Sequence, residues 1–357
     1  MKIRAFITHK KAEHFIDCQD RFSINCDTKS VAVSDGMSQS WQQKIWAQLL
    51  VDTFCATVDW VPNLESVREL SPVWKSRVED YIQYLRDSNA KESIIYRNER
   101  CLASGKSAGA TLVGVRFDSN KWSCDVLGDS CLIAKQGDKY VFGTSQDTEK
   151  FDNHPDYFDS DSNQQGRGHY KTIPGELSST NPFVLLVSDP FSDFLLEHNK
   201  AGDIDNLVND LLTINTHEEF EAIVAKWRSA GMHNDDTTLI IMEYDGVDDW
   251  TILYQDDLNA LIKSEETIQN NHVDSKPQEE STVSTPTVTT TVNEPIVSEI
   301  SEDEFCKEFL GISEDKFTSC SMLNYLFSTK KDRKNKMQKI LTEIAKLIYK
   351  QYVIRKK

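Results

Sequence analysis

The stretch Phe183-Val184-Leu185-Leu186-Val187-Ser188-Asp189-Pro190 (residues 183–190) sets five apolar residues in a row and ends them on a carboxylate. A short apolar run closed by turn residues reads as a strand. A carboxylate at a strand end is carried by rigid backbone yet can reach a cleft. The pattern recurs along the chain. Val31-Ala32-Val33 leads into Ser34-Asp35-Gly36, and Gly128-Asp129-Ser130 follows another apolar run. Cys18-Gln19-Asp20 and Asn234-Asp235-Asp236 behave alike. Hard divalent cations take several such oxygens at once. These acidic positions span more than 200 residues, so only the fold can gather them. A metal site assembled from a folded sheet is the expectation, rather than a local binding loop.

Working outward, residues 1–255 alternate strand-like and helix-like patterns. Ile3–Thr8, Phe22–Asn25 and Val31–Val33 are β-rich. Ser38 or Ser40 could cap a helix through about Val58, with Trp41, Ile45, Leu49 and Phe54 at helical spacing. Ser71-Pro72 opens a second helix, since proline suits the first helical position. Strands are predicted over Ala110–Phe117, Trp122–Leu127, Cys131–Lys135 and Tyr140–Gly143, joined by turn chemistry at Asp118-Ser119-Asn120 and Gln136-Gly137-Asp138. Residues 144–181 are polar and weakly patterned, a length that is often functional inside a domain. Helices are predicted over Ile204–Leu212 and Glu218–Ser229, and a last strand over Thr238–Tyr244.

Beyond residue 255 the composition changes. Residues 256–300 read as partly helical, then as a Thr/Ser/Pro-rich linker without apolar periodicity, which is expected to be extended. Residues 301–357 turn helical again. Ser301 with Glu304 resembles a capping box. Met337, Ile340, Leu341, Ile344, Leu347 and Ile348 form a stripe among lysines and arginines. From Ser321 to the end there are 11 Lys+Arg against 2 Asp+Glu, in a chain whose net charge is −17. That overall charge argues against non-specific nucleic-acid binding by the chain as a whole. The basic tail is expected to pack on the domain or bind a protein partner, ahead of nucleic acid or a membrane surface. The 8 cysteines show no C-x-x-C pair and several lie in apolar runs, which suits reduced thiols in the cytoplasm. No signal peptide or spanning segment is apparent. Gly105-Lys106-Ser107-Ala108-Gly109 fits G-x-S-x-G but lacks the preceding strand that a nucleophile elbow needs. The histidines at 9, 14, 154, 169, 217 and 233 show no zinc-ligand spacing.

The acidic motifs, in their order, resemble the metal-dependent protein phosphatases of PPM type (type 2C), in a divergent bacterial-like form. Gln19-Asp20, Asp35-Gly36, Gly109-Ala110-Thr111, Gly128-Asp129-Ser130, Ser188-Asp189 and Asp235-Asp236-Thr237-Thr238 stand in family order on the predicted elements. The resemblance covers residues 1–245 and leaves the linker and tail aside. It implies an α+β fold, a four-layer αββα sandwich of two antiparallel sheets flanked by helices, followed by a separate small helical region. It implies two Mn²⁺ or Mg²⁺ ions, with Asp35 bridging and the Gly36 carbonyl on one of them. Asp189 and Asp235 would hold the other, Asp20 would act through water, and Asp129 stands where some members bind a third ion. It implies signalling by hydrolysis of phosphoserine and phosphothreonine on proteins, with metal-activated water as nucleophile. Its partners would be a phosphorylated protein and a cognate Ser/Thr kinase.

The chain departs from the family pattern around those carboxylates. Phe15 stands where an arginine usually grips phosphate, leaving Lys10, Lys11, His14 or Arg21 as substitutes. Met37-Ser38 replaces the usual x-Gly, and Met37 cannot be the general acid that a histidine supplies in some relatives. Pro190 replaces a glycine and is expected to stiffen the loop and remove a donor. Asp236 takes an asparagine's place and adds charge. The carboxylates match while the phosphate grip does not, so a second reading stands beside the enzyme. In that reading the chain is a catalytically weak or silent pseudophosphatase acting as a metal-binding interaction module.

Overall fold

Strict alternation of side chains along each strand explains how two sheets share one core. In the computed structural model, residues 1–146, 156–161, 166–177 and 182–273 are described. The strands are β1 (Lys2–Thr8), β2 (Arg21–Asn25), β3 (Ser30–Ser34), β4 (Gly109–Ala110), β5 (Leu112–Asp118), β6 (Lys121–Leu127) and β7 (Cys131–Gln136). They continue with β8 (Lys139–Gly143), β9 (Phe158–Asp159), β10 (Lys171–Glu176), β11 (Phe183–Val187), β12 (Thr237–Glu243) and β13 (Thr251–Gln255). The helices are α1 (Gln43–Ala56), α2 (Leu64–Arg68), α3 (Ser71–Asp87), α4 (Glu92–Ala103), α5 (Asp189–Ala201), α6 (Ile204–Leu212), α7 (His217–Ser229) and α8 (Leu258–Val273).

A six-stranded sheet runs β13-β1-β12-β11-β7-β8 and a five-stranded sheet runs β10-β6-β5-β3-β2. Ile3, Ala5, Val184, Leu186, Ile240 and Met242 of the first meet Val31, Val33, Val113, Val115 and Val126 of the second in one buried cluster. The alternate residues point outward. Phe6, Leu185, Val187, Leu239 and Ile241 pack with Phe191, Leu195, Val208, Phe220 and Trp227 of α5, α6 and α7. Ala32 and Leu112 pack with Trp46, Leu50, Phe54, Trp74 and Val78 of α1 and α3. The result is helices, sheet, sheet, helices, as the resemblance implied.

The differences from expectation are local. One edge pair is parallel rather than antiparallel, because β13 returns beside β1. The polar stretch 144–181 contains β9 and β10, the latter carrying Pro174 on an edge strand. Helix α1 starts at Gln43, after a left-handed Gln42, and neither Ser38 nor Ser40 caps it. Ser40 instead accepts the Gly109 N–H at 2.9 Å. Helices α2, α4 and α5 have no counterpart among the predicted helices, while α8 falls in the stretch read as partly helical. Six cysteines among the described residues are unpaired, and Cys18, Cys55, Cys124 and Cys131 are buried. No helix among the described residues is long and apolar enough to cross a membrane. The linker past 273 and the basic tail over 301–357 lie outside the described residues.

Helix α1 approaches the five-stranded sheet at Gly114, where an added Cβ would sit 2.5 Å from the Phe54 ring. Overfilling such a contact costs ~1–3 kcal/mol. Gly114→Val should therefore lower unfolding free energy by about 2 kcal/mol in urea titration, with the m-value unchanged.

Candidate functional site

The strand registers bring the acidic turns to one end of the sandwich. In the β2–β3 pair Arg21 faces Ser34, so Asp20 and Asp35 are neighbours. In the β5–β6 pair Leu112 faces Leu127, which sends Gly128-Asp129 off the same end. Val187 faces Cys131 on one side and Leu239 on the other, placing Asp189 between Asp129 and the Asp235-Asp236 turn. Thr8 faces Thr237, so the chain after β1 enters beside Asp235.

Local chemistry holds each carboxylate. Asp35 follows β3, with its N–H donated to Thr111 Oγ1 (3.1 Å) and its carbonyl accepting Thr111 N–H (2.9 Å). Thr111 Oγ1 in turn meets Ser130 Oγ at 3.0 Å. Gly36 is buried where a Cβ would sit 2.8 Å from Gln43 and 3.2 Å from the Gln19 carbonyl. Asp20 is fully buried and accepts Thr238 O–H at 2.7 Å. Asp129 is buried, and its carbonyl accepts Ser192 O–H from α5 at 2.6 Å. Asp189 is the first residue of α5, where partial positive charge from the helix favours a carboxylate.

Proline at 190 costs helix α5 nothing. It lies in the first turn of α5, where its missing N–H would have no helical partner. Asp236 likewise differs from the charge merely added to the site that the sequence suggested. It is 1% exposed and accepts two backbone N–H groups, Lys10 at 3.0 Å and Gln19 at 2.7 Å.

Of the four proposed cations, one reaches the cluster. Lys10 Nζ lies 2.9 Å from Asp235 Oδ1 and donates to Ser38 Oγ at 3.3 Å. Burial opposes its charge, but Asp235 and Asp236 prevail and push its pKa up to about 12. Arg21 is spent on the carbonyls of Cys18 and Asp20. His14 pairs with Glu265, outside the cluster, and Lys11 is exposed. Sequence reasoning missed Arg228, which donates to the carbonyls of His9 (3.1 Å) and Asp235 (2.6 Å) and to Thr237 Oγ1 (3.1 Å). It pins the acidic turn to the end of β1, and no sequence signal marks it.

The electrostatics show that these groups form one system. Burial, then the charges of Asp20, Asp189, Asp129 and Asp235, hold Asp35 well above the carboxylate range. Burial, then Asp129, Asp235 and Asp20, do the same to Asp189, with Lys10 opposing. Burial and Asp236 lift Asp20 to about 7. Burial lifts Asp129 to about 6 against its own backbone N–H and that of Ser130, with Asp193 adding to the rise.

Among the described residues, no three His, Cys, Asp or Glu side chains close on one point as a formed metal site. The donor chemistry nonetheless fits hard divalent cations. It is all oxygen, and Asp20 Oδ1 and Asp129 Oδ1 are buried with no hydrogen-bond partner. A cation would satisfy such atoms and relieve the like-charge repulsion.

The sequence profile described as Protein phosphatase 2C matches residues 10–232. No curated protein matches the chain. Similar solved structures include the serine/threonine phosphatase Stp1 from Staphylococcus aureus, at 13% identity, 68% of this chain, 94% of that chain and TM-score 0.45. The catalytic domain of the serine threonine protein phosphatase PstP, in complex with two manganese ions, matches at 15% identity, 68% and 98% coverage and TM-score 0.40. PppA of Pseudomonas aeruginosa matches at 17% identity, 68% and 97% coverage and TM-score 0.39.

The raised carboxylates carry a pH dependence. Asp20 and Asp129 hold protons in the native state up to about 7 and about 6, while in the unfolded chain they release them near pH 4. Between those limits the native chain binds more protons, so its stability falls as pH rises. Metal-free protein should melt lower at pH 8 than at pH 5.5, and Asp20→Asn should flatten that fall. Mn²⁺ should raise the melting temperature more at pH 8 than at pH 5.5, read by scanning calorimetry.

Proposed function

The chain belongs to the protein phosphatase 2C family, and on that footing we propose that it hydrolyses phosphoserine and phosphothreonine on proteins with divalent metal ions. The observation that supports this most directly is the gathering of Asp20, Asp35, Asp129, Asp189 and Asp235 at one end of the sandwich, where burial and neighbouring carboxylates raise Asp20, Asp35, Asp129 and Asp189. Mn²⁺ or Mg²⁺ would be held by Asp35 with the Gly36 carbonyl and by Asp189 with Asp235. Asp20 would act at one remove, and Asp129 would serve a third ion. When bound, such a pair polarises phosphoryl oxygens and lowers the pKa of water.

The chain's own residues do the rest. Lys10 brings the one cationic side chain that, among the described residues, bonds to these carboxylates. Its ammonium can meet a phosphate oxygen while staying close to Asp235. Ser38 Oγ, which donates to Gln19 Oε1 at 3.0 Å, steadies the lysine from the other side. Arg228 and Asp236 hold Asp235, Lys10 and Gln19 in mutual register through backbone contacts. Phe15 takes no part in binding anions, being buried against His9 with ring centroids 4.6 Å apart.

We take residues 1–255 as the phosphatase domain, with 256–300 partly helical and then linker. The basic tail at 301–357 is assigned to capturing a protein partner. A cytoplasmic setting is supported by the unpaired thiols.

Purified full-length chain should hydrolyse an aryl phosphate and a phosphothreonine peptide only with Mn²⁺ or Mg²⁺. Asp35→Asn and Asp189→Asn should each cut kcat/KM by about 100-fold or more, as loss of a metal-site group does. Lys10→Ala should raise KM roughly tenfold with a smaller change in kcat, the loss of one charged hydrogen bond. A wild-type chain that binds Mn²⁺ in calorimetry yet turns over neither substrate would establish the silent interaction module instead.

A further inference from the structure

Residues 10–19 form a loop that leaves β1 beside Asp235 and returns to β2 at Asp20. Its two ends are fastened by the two oxygens of one carboxylate. Asp236 Oδ1 accepts Lys10 N–H at 3.0 Å, and Oδ2 accepts Gln19 N–H at 2.7 Å. Inside the loop, three short-range bonds shape successive turns: Glu13 N–H to Lys10, Asp17 N–H to His14 and Cys18 N–H to Phe15. Lys10, Gln19 and Asp20, three of the groups nearest the site's chemistry, therefore sit at the two ends of one short rigid excursion.

The crown of that loop is held by a second carboxylate, on α8. Glu265 Oε2 accepts the Phe15 N–H at 2.9 Å, and Oε1 lies 2.9 Å from His14 Nδ1 and 3.8 Å from His9 Nε2. A carboxylate that is ionised only accepts, so His14 presents Nδ1–H. Burial resists the charge of Glu265, but His14, the Phe15 N–H and His9 together hold its pKa below the ordinary range. Phe15 fills the space between, its ring against His9 and 5.8 Å from that of His217. From outside the loop, Lys44 Nζ also donates to the Ile16 carbonyl at 2.7 Å, and Arg21 donates to the Cys18 carbonyl at 2.9 Å. Helix α8 begins at Leu258, beyond the segment that matches the family, which ends at residue 232. Glu265 is thus a helical residue, within the stretch read as partly helical, that reaches back some 250 positions to the site's loop.

We propose that Glu265 is a positioning residue for the phosphate-binding end of the site: it holds the crown of the loop so that Lys10 stays on Asp235. The family's arginine position has become, in this chain, the attachment point of a helix added after the domain. The inference rests on the phosphatase reading and deepens it.

The test uses the full-length chain loaded with Mn²⁺, with inorganic phosphate as probe. Glu265→Ala should weaken phosphate binding roughly tenfold by calorimetry, the size of effect seen when the support of a site is removed. It should raise KM for an aryl phosphate by a similar factor while kcat changes less. Amide exchange at residues 13–18 should quicken while the β11 and β12 amides keep their protection, which shows the fold intact. Glu265→Gln, which keeps an acceptor for the Phe15 N–H, should recover most of the binding. Lys263→Ala, an exposed neighbour on α8, should match wild type. Unchanged phosphate affinity in Glu265→Ala overturns the proposal, whether or not exchange quickens. So does an equal loss at Lys263→Ala. If the wild type itself binds no phosphate with Mn²⁺ present, the phosphatase reading falls and this inference with it.

Discussion

Like charges held together out of water are costly, and the end of this sandwich holds five carboxylates within mutual influence. The fold tolerates the repulsion because strand register leaves the carboxylates no other place. Asp20 and Asp35 are bound to adjacent antiparallel strands, and Asp129 and Asp189 flank a second pair. Moving any of them away would slip a strand by one residue and turn a buried face of the sheet to solvent. The cores on both sides of each sheet therefore fix the charge geometry. Hydrophobic packing spread over the whole domain opposes the local repulsion, and protons or divalent ions remove it.

A second group of interactions shapes the space around the charges. Ser, Thr and backbone groups bond to the carboxylates or beside them, at Thr111, Ser130, Thr238 and Ser192. Each is small and buried, and each bonds where a larger side chain would fill the cleft. Asp236 and Arg228 do a different task. Both bind backbone, so they place neighbouring residues rather than offering themselves to a ligand. The acidic turn Asn234-Asp235-Asp236 thus divides its labour: Asp235 faces Lys10, and Asp236 faces the amides behind it.

How much of this could be read from sequence follows from the range of each interaction. Asp35 and Asp189 were legible because an apolar run and its terminating carboxylate lie within a few residues. The layers were legible because alternation along Val31–Val33 and Phe183–Val187 assigns faces locally. Asp236 was not legible, since its role depends on amides more than 200 positions away. The same holds for Arg228 with His9 and for Glu265 with Phe15. Pro190 was read in isolation as stiffening a loop, whereas it stands in the first turn of a helix beginning at Asp189, which has no internal use for the missing donor. Helix α5 itself went unseen because its start is a strand end, and the apolar strand dominated the pattern.

The proposed use of Lys10 where the family uses an arginine has consequences beyond position. An arginine offers a planar fork that holds phosphate by two parallel bonds, whereas a lysine offers a compact charge with rotatable donors. Orientation that the fork would impose must come from elsewhere, and the structure supplies it through the lysine's surroundings. Its backbone N–H is tied to Asp236, its ammonium to Asp235 and Ser38. The same ammonium that would meet a phosphate already offsets the charge of Asp235. An arriving phosphate must therefore share Lys10 with Asp235, and a cation on Asp235 weakens the hold that carboxylate keeps on the lysine. Cation and anion binding are coupled through a single proton-rich group, so each should favour the other at this end of the fold.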